Sequence, residues 1–199
     1  MTLRAGQRLP VSVDTMERID FARLARKGGS HRPSLTGLGL SVLSRRGLSD
    51  AGASCNGAAG YAVFVRRAFS LASRLGACRE AFDQNGQHLA TTEALLGVSL
   101  NMHRDLSPSW SVLIGPELSA SYLRQAISGP TPTKGARNVF GGAITVQGGV
   151  EFALGAYALT ARALAQTYIL ELQNPGARSP QVSAVFAWGA TLGVTRYLR

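Results

Sequence analysis

The segment WSVLIGPELSASYLR, residues 110 to 124, alternates between apolar side chains and small or polar ones. Every second residue from Trp110 to Tyr122 is apolar, and the positions between them are mostly Ser, Gly or Glu. A period of two residues predicts a β-strand with one apolar face. The steps between the two aromatic residues span roughly 40 Å along a strand, which a tilt of about 40° shortens to about the thickness of a bilayer with its interfaces. The segment therefore predicts a transmembrane β-strand.

The overall composition favours a chain that does not expose its whole surface to water. Charged residues make up 16% of the 199 residues, below the roughly 25% of an ordinary soluble domain. The net charge of +10 raises nucleic acid as a partner, but no basic helix and no basic run with interleaved aromatic residues is present. We therefore predict no nucleic-acid binding.

The export signal that a membrane barrel needs is not evident at the start of this sequence. The sequence contains no run of 18 apolar residues, so it predicts no transmembrane helix. The opening MTLRAGQRLP lacks the apolar core of a secretory signal. Either the sequence is the C-terminal piece of a longer exported protein, or a chain with the wrong start, or the membrane interpretation is wrong.

The chain divides into a predicted linker or small cap, residues 1 to 32, and a predicted barrel, residues 33 to 199. Eight strand-like segments follow one another at residues 35–43, 60–65, 69–81, 88–102, 110–124, 143–154, 157–170 and 182–197. Their connectors alternate between long ones (roughly twelve, six, eighteen and eleven residues) and shorter ones (about three, seven and two), as in outer-membrane barrels with long external loops and short turns. An even strand number places both ends of the barrel at the short-turn rim.

One turn predicts its own strand register. Gly155-Ala156 has glycine at the first central position, as a type II′ hairpin turn requires. If these two residues form the turn, Phe152 faces Leu159 and Glu151 faces Thr160, and the apolar residues of both strands share one side.

The residue types on the two faces distinguish a membrane barrel from a soluble one. The polar face carries mostly Ser, Thr, Gly, Gln and Asn, and the predicted strands contain no Lys. A soluble barrel would have a charged exterior, whereas an eight-stranded membrane barrel has an interior with room only for side chains. We therefore predict an all-β, eight-stranded antiparallel up-and-down transmembrane β-barrel. The alternative is a soluble, lipocalin-like barrel that binds an apolar ligand.

Two sets of residues follow from this prediction. Aromatic side chains facing the membrane interfaces form a predicted girdle, namely Tyr61, Trp110, Tyr122, Tyr157 and Trp188. Charged side chains facing inward form a predicted network that fills the lumen, namely Arg74, Glu93, Glu117, Glu151 and Arg162. In the hairpin register, Glu151 lies diagonal to Arg162, close enough for an ion pair. A proton or ion path along the carboxylates is the alternative.

Cys55 and Cys78 lie toward the loop end of the second and third strands. Their similar distance from the intervening turn would let them bridge in an oxidising compartment. Simple parity places them on opposite faces unless Cys55 has left the strand, so a disulfide and two free thiols both remain open.

Catalytic and metal-binding motifs are absent from the sequence. It contains no CxxC, HExxH, GxSxG or P-loop motif, and its three histidines do not cluster. A surface hydrolase using His88 and Asp83 at the long-loop rim is an alternative, but histidines exposed to solvent are the simpler interpretation. We predict no enzyme, no metal and no cofactor.

Residues 34 to 198 resemble the small eight-stranded outer-membrane barrels of the OmpA and OmpX type, although such barrels commonly end on an aromatic residue and this chain ends Tyr197-Leu198-Arg199. The stretches AGQRLPVSVDTMERIDFARLARKGG, RRAFSLASRLGACREAFD and SLNMHRDLSPSWSVLIGPELSASYLRQ are similar to the C-terminal portion of myxobacterial multidomain proteins that begin with a caspase-like peptidase domain. The second resemblance implies that the peptidase lies in a missing N-terminal portion, since neither cysteine has the context of such a site.

The expected function is that of a non-enzymatic outer-membrane barrel. We expect a monomer in the lipid bilayer of the bacterial outer membrane, acting as a membrane anchor or as an envelope-integrity or adhesion element. The longest predicted loop, residues 125 to 142, is the expected contact with an external partner.

Overall fold

The fold is an eight-stranded antiparallel sheet that closes on itself. A computed structural model describes residues 34–46, 53–84, 87–128, 135–172 and 181–198. The strands are β1 (Leu35–Arg46), β2 (Ser54–Arg66), β3 (Phe69–Gln84), β4 (Gln87–Asp105), β5 (Trp110–Ser128), β6 (Gly135–Leu154), β7 (Tyr157–Leu172) and β8 (Gln181–Leu198). Each strand pairs with the next, and β8 pairs with β1. The predicted up-and-down barrel is confirmed, whereas the predicted cap, residues 1 to 32, lies outside the described residues.

Several strands extend further than the alternation of side chains predicts. The expected long loop at 125–142 is wrong in extent, because pairing of β5 with β6 continues through Gln125↔Arg137 to Ile127↔Gly135. The start of β2 was likewise placed too late, since residues 54–60 pair with β1 or β3. Backbone hydrogen bonds hold these ends together whatever their side chains. Residues 54–60 are mostly small and residues 135–142 do not alternate between apolar and polar, so a pattern based on hydrophobicity does not detect them. The connector between β5 and β6 is therefore only residues 129–134.

The hairpin of β6 and β7 has the register that its turn predicts. Phe152 pairs with Leu159 and Glu151 pairs with Thr160. Gly155 adopts a positive φ of 61°, which a residue without a Cβ reaches at little cost. This agreement confirms the predicted register and the shared face of the two strands.

Large apolar side chains point away from the barrel axis. Leu40, Ile114 and Leu118 are 69%, 60% and 64% exposed, respectively, whereas Thr145 and Gln147 are 0% and 2% exposed. An eight-stranded barrel is too narrow to hold the bulky residues inside, so small and polar residues fill it. A soluble, lipocalin-like barrel requires the opposite arrangement, and the structure therefore excludes that alternative. Among the described residues, no helix is long and apolar enough to span a bilayer.

The predicted orientation of β2 is wrong. Val63 and Val65 are buried inside the barrel, and Phe64 is exposed on its exterior. Tyr61 also points inward, because its direct partner is Gly39, where an added Cβ would lie 2.6 Å from Cε2 of the Tyr61 ring. The space above this glycine accepts the ring. Tyr61 is therefore an interior residue and does not belong to the predicted aromatic girdle.

Candidate functional site

Cys55 and Cys78 form a disulfide inside the barrel, with an S–S distance of 2.06 Å and a Cα–Cα distance of 5.5 Å. Cys78 pairs directly with Gly57, so Cys55 lies diagonal to it on the inward face. The parity that placed the two residues on opposite faces followed from the wrong orientation of β2. Correcting β2 brings both sulfurs to the same side of the sheet.

A buried arginine, Arg45, lies beside this disulfide and was missed by the sequence analysis. Its guanidinium forms an ion pair with Glu93 and donates to the hydroxyl of Tyr168 and, at 3.6 Å, to Sγ of Cys78. The Tyr168 hydroxyl in turn donates to Glu93 at 3.0 Å. Extending the predicted first strand from residue 43 to residue 46 would have placed Arg45 on the inward face. We call this group, Arg45, Glu93, Tyr168 and the disulfide, the arginine cluster.

A second interior ion pair joins Arg74 to Glu117. Both residues belong to the predicted lumen network, and their side chains are 12% and 3% exposed. They lie on β3 and β5, which are separated by β4. The ion pair therefore crosses over β4 inside the barrel and joins two strands that are not adjacent in the sheet.

Glu151 and Arg162 have the diagonal register that the hairpin predicts, since Arg162 pairs with Gly149. Glu151 accepts a hydrogen bond of 3.2 Å from the Tyr197 hydroxyl. Arg162 donates to the Gln147 side chain at 3.4 Å, and its guanidinium lies 5.9 Å from the centre of the Tyr61 ring. These two charged residues thus join the polar interior through uncharged neighbours.

Apolar side chains also fill parts of the barrel interior. One cluster lies toward the loop side of the barrel and comprises Leu123, Ala143, Tyr168, Leu170 and Ala187. The other lies toward the short turns and comprises Val63, Val65 and Ala72, with Leu35 and Tyr197 packed against them. Apolar and polar side chains of the described strands therefore share the interior, and Tyr168 belongs both to the first apolar cluster and to the arginine cluster.

Metal binding has little support from the residues that the structure places together. Potential ligand atoms of Cys55, Cys78 and Glu93 lie within 4.8 Å of one another. The two sulfurs are bonded to each other, and a disulfide is not the thiolate that binds a metal. The short distances between these three residues are better explained by their shared contacts in the arginine cluster.

His88 and Asp83 form a hydrogen-bonded pair at the loop-side rim, with Nδ1 and Oδ1 2.8 Å apart. Their side chains are 51% and 81% exposed, respectively. The neighbouring Ser128 hydroxyl donates to the backbone carbonyl of His88, not to its ring. Within the described part of the chain this histidine has no hydroxyl bound to its second nitrogen, so the geometry does not support a nucleophile activated by His88.

Aromatic side chains mark both edges of the apolar exterior. At the short-turn edge, Trp110 packs on Phe152 with ring centres 4.7 Å apart. Toward the loop side, Tyr122 packs on Phe140 at 4.9 Å. Of the other two predicted girdle residues, Tyr157 and Trp188 are 46% and 55% exposed. These outward aromatic residues lie toward the two ends of the apolar exterior, and their contact with the interfaces of a bilayer stays a prediction.

No protein-family model and no curated protein gives a significant match to this sequence, but solved structures match the fold. Neisserial surface protein A has a TM-score of 0.55 and 13% identity over 81% of this chain and 96% of its own. The attachment invasion locus protein Ail of Yersinia pestis has a TM-score of 0.54 and 9% identity, over 84% of this chain and 100% of its own. A major outer membrane protein from Thermus thermophilus has a TM-score of 0.52 and 11% identity, over 84% of this chain and 100% of its own.

The fold is that of a small outer-membrane β-barrel. The apolar side chains that cover the exterior of this barrel fit a membrane environment, because exposing them to water would be unfavourable and lipid hydrocarbon can cover them at little cost. A barrel of this type spans the bacterial outer membrane with its short turns, residues 67–68, 106–109 and 155–156, at the periplasmic side. The connectors of the other rim then face outward from the cell.

Proposed function

We propose that this barrel is a non-enzymatic membrane anchor whose lumen is filled by its own side chains and whose external rim contacts a partner. The observation that carries this proposal is the arginine cluster. Arg45 and Glu93 are 2% and 1% exposed, and Tyr168 is 0% exposed. Three large side chains held together in a barrel of eight strands leave no continuous water path at that level.

The charges of the cluster support a structural role over a transport role. Arg45 and Glu93 already form an ion pair with each other. A buried ion pair holds both side chains in one position, whereas conduction needs sites that an ion can both enter and leave. A proton path along the carboxylates would need groups that can exchange partners. Glu93 and Glu117 instead pair with Arg45 and Arg74.

A conductance measurement tests the filled lumen. Purified barrel is inserted into planar bilayers, and single-channel current is compared with a variant in which the cluster is removed by Arg45→Ala with Tyr168→Ala. We expect no discrete current steps for the native chain and small steps for the variant. Discrete steps from the native chain would contradict the proposal.

The partner proposed for the external rim is an acidic glycan. Ail, which shares the fold, has a structure in complex with the heparin analogue sucrose octasulfate, with a TM-score of 0.50 and 9% identity. The net charge of +10 here favours a polyanion. The test is retention of barrel-containing vesicles on heparin at increasing salt, for the native chain and a chain in which a Gly-Ser linker replaces residues 129–134. Equal retention of both chains would remove that connector from the proposed contact.

A further inference from the structure

Strand β2 turns its larger side chains into the barrel, unlike its neighbours β1 and β3. Tyr61, Val63 and Val65 point inward, and Phe64 is the single large apolar side chain on the outward face between residues 56 and 64. The other outward residues of that stretch are Asn, Ala and Gly, a composition that would also suit a narrow interior. A shift of β2 by one residue against both neighbours would exchange its two faces. Hydrophobicity therefore does not select the observed face.

The turn between β2 and β3 does not favour the observed register either. Arg67 and Ala68 form a two-residue turn, and Arg67 takes a positive φ of 56°. Gly155 has the same place in the turn between β6 and β7, with a φ of 61°. Arginine is strained in this conformation, whereas glycine is not. A three-residue turn, which is also common in hairpins, would pair Val65 with Phe69 and shift β2 by one residue.

The disulfide between Cys55 and Cys78 is compatible with only one of the two registers. Cys78 lies on the inward face of β3, where Sγ is 3.6 Å from the Arg45 guanidinium and 3.5 Å from the Glu93 carboxylate. In the observed register Cys55 lies diagonal to it on the same face. A shift of one residue would place Cys55 opposite Arg79 on the exterior, where its sulfur could not reach Cys78. The bond therefore holds β2 in the observed register.

The closed barrel shields both sulfurs from another protein. Cys55 and Cys78 are 1% and 4% exposed, and the surrounding side chains of Arg45, Glu93 and Tyr168 are also buried. Thiol–disulfide exchange requires a thiolate to reach a sulfur atom directly. A protein that donates a disulfide cannot insert its own cysteine between these side chains. Oxidation by such a protein must therefore come before the sheet closes.

The contacts that hold Tyr61 inside the barrel form later than the β2–β3 hairpin can. The space for its ring lies above Gly39 on β1, and the hydroxyls of Tyr61 and Thr195 lie 2.7 Å apart. Thr195 is on β8, which joins the sheet only through β7 and β1. These contacts stabilise the closed barrel, but they are not yet present when β2 pairs with β3.

We propose that a protein disulfide donor of the periplasm oxidises Cys55 and Cys78 before the barrel closes, and that the new bond selects the inward face of β2. The thiolate of one cysteine attacks the disulfide of the donor and forms a mixed disulfide. The thiolate of the other cysteine then attacks the sulfur of the first, and the donor leaves as a dithiol. The two cysteines lose two electrons and two protons, which the donor takes up. A chain that closes without this step places the opposite face of β2 inward. The proposal concerns assembly and does not depend on the anchor role.

The test compares chains folded into phosphatidylcholine vesicles in the oxidised and the reduced form. The reduced chain is unfolded in urea with a phosphine, folded, freed of the phosphine and treated with a small maleimide. Digestion and mass spectrometry then give the label on each cysteine. We expect label on Cys55, which the exchanged face places on the exterior beside Arg79, and none on Cys78. An oxidised protein with a Cys-x-x-Cys disulfide should form the bond in the reduced chain in urea, but not after closure.

Two variants test why the reduced chain exchanges the faces of β2. Arg67→Gly removes the strain from the two-residue turn, so the ratio of labelled to unlabelled Cys55 should fall about fivefold or more. Val63→Thr with Val65→Thr makes the observed inward face more polar with little change in shape, so this face should stay inward without the disulfide and Cys55 should lose its label. Val146→Thr with Val150→Thr, at two outward positions of β6, is the matched control and should leave the label unchanged.

Each outcome decides the proposal, and heat-modifiable gel migration identifies the closed barrels. Label on Cys55 alone, lost in the β2 valine variant and kept in its β6 control, supports it. An unlabelled pair of cysteines in the reduced native chain would overturn it, because β2 would then take its observed face without the bond. Label on both cysteines would also overturn it, because β3 keeps Cys78 inward in either register. Bond formation after closure as fast as in urea would contradict the proposed order of the two steps.

Discussion

Replacing Glu93 with Gln should destabilise the barrel more than any single surface change. The substitution keeps the shape of the side chain but leaves the Arg45 charge without its carboxylate, at a site where the two side chains are each 1% exposed. Two opposite charges about 4 Å apart attract by about 4 kcal/mol at an effective dielectric constant of about 20. Removing one partner of a buried pair costs about 3–5 kcal/mol, a large share of a total stability of about 5–15 kcal/mol.

The double variant Glu93→Gln with Arg45→Met separates the pair from the packing of each residue. Methionine fills much of the arginine volume without a charge, so the double variant should be less destabilised than the sum of the two single changes. We expect a coupling free energy of at least about 2 kcal/mol. The contacts of Arg45 with Tyr168 and Gln166 are lost whenever Arg45 is replaced, so they cancel in the cycle.

The measurement is reversible unfolding in urea with the barrel in lipid vesicles. Tryptophan emission follows the transition, and heat-modifiable migration gives the folded fraction. Asp83→Asn is the matched control because it also removes one carboxylate from a hydrogen-bonded pair, the one that Asp83 forms with His88. That pair is 51% and 81% exposed, and exposed pairs contribute only about 0–1 kcal/mol.

Two results would refute the reasoning. A cost for Glu93→Gln no larger than that for Asp83→Asn would mean that Arg45 finds water or another anion when Glu93 is replaced. Costs for Glu93→Gln and Arg45→Met that simply add would mean that the two residues do not interact directly.

Three further changes test the interior, the crosslink and the exterior. Gly39→Val should cost about 1–3 kcal/mol in the same urea assay because the new side chain overlaps the Tyr61 ring; Gly60→Ala, where an added Cβ has no atom closer than 3.8 Å, should cost much less, and equal costs would contradict the inward ring. Cys55→Ala with Cys78→Ala should lower the unfolding free energy by about 2–4 kcal/mol, and a native chain that shows no mobility shift on reduction after unfolding would disprove the crosslink. Leu118→Arg should reduce the folded fraction in vesicles by the equivalent of about 2–4 kcal/mol, so an unchanged fraction would argue against burial of that position in hydrocarbon.

The sequence alone determined the number of strands, the outward face of β5 and the register of one hairpin. Alternation in residues 110–124 identifies β5 and its outward face because a closed narrow sheet can place large side chains only outside. Gly155 determines the β6–β7 register because a two-residue turn with glycine at its first central position fits it. Arg74 and Glu117 could be assigned to the interior for the same reason as β5, since each lies on the polar face of an alternating strand.

The tertiary structure decided the orientation of β2, the partners inside the barrel and the length of the strands. Alternation tells which residues share a face but not which face is inward, and in β2 both faces are apolar, with Tyr61 and Val63 on one and Ala62 and Phe64 on the other. The inward choice depends on Gly39, which comes from a different strand. Arg45 meets Glu93 across 48 residues of sequence, and no local pattern contains that pairing. Contacts between distant strands arise from closure of the sheet, and only the closed structure shows them.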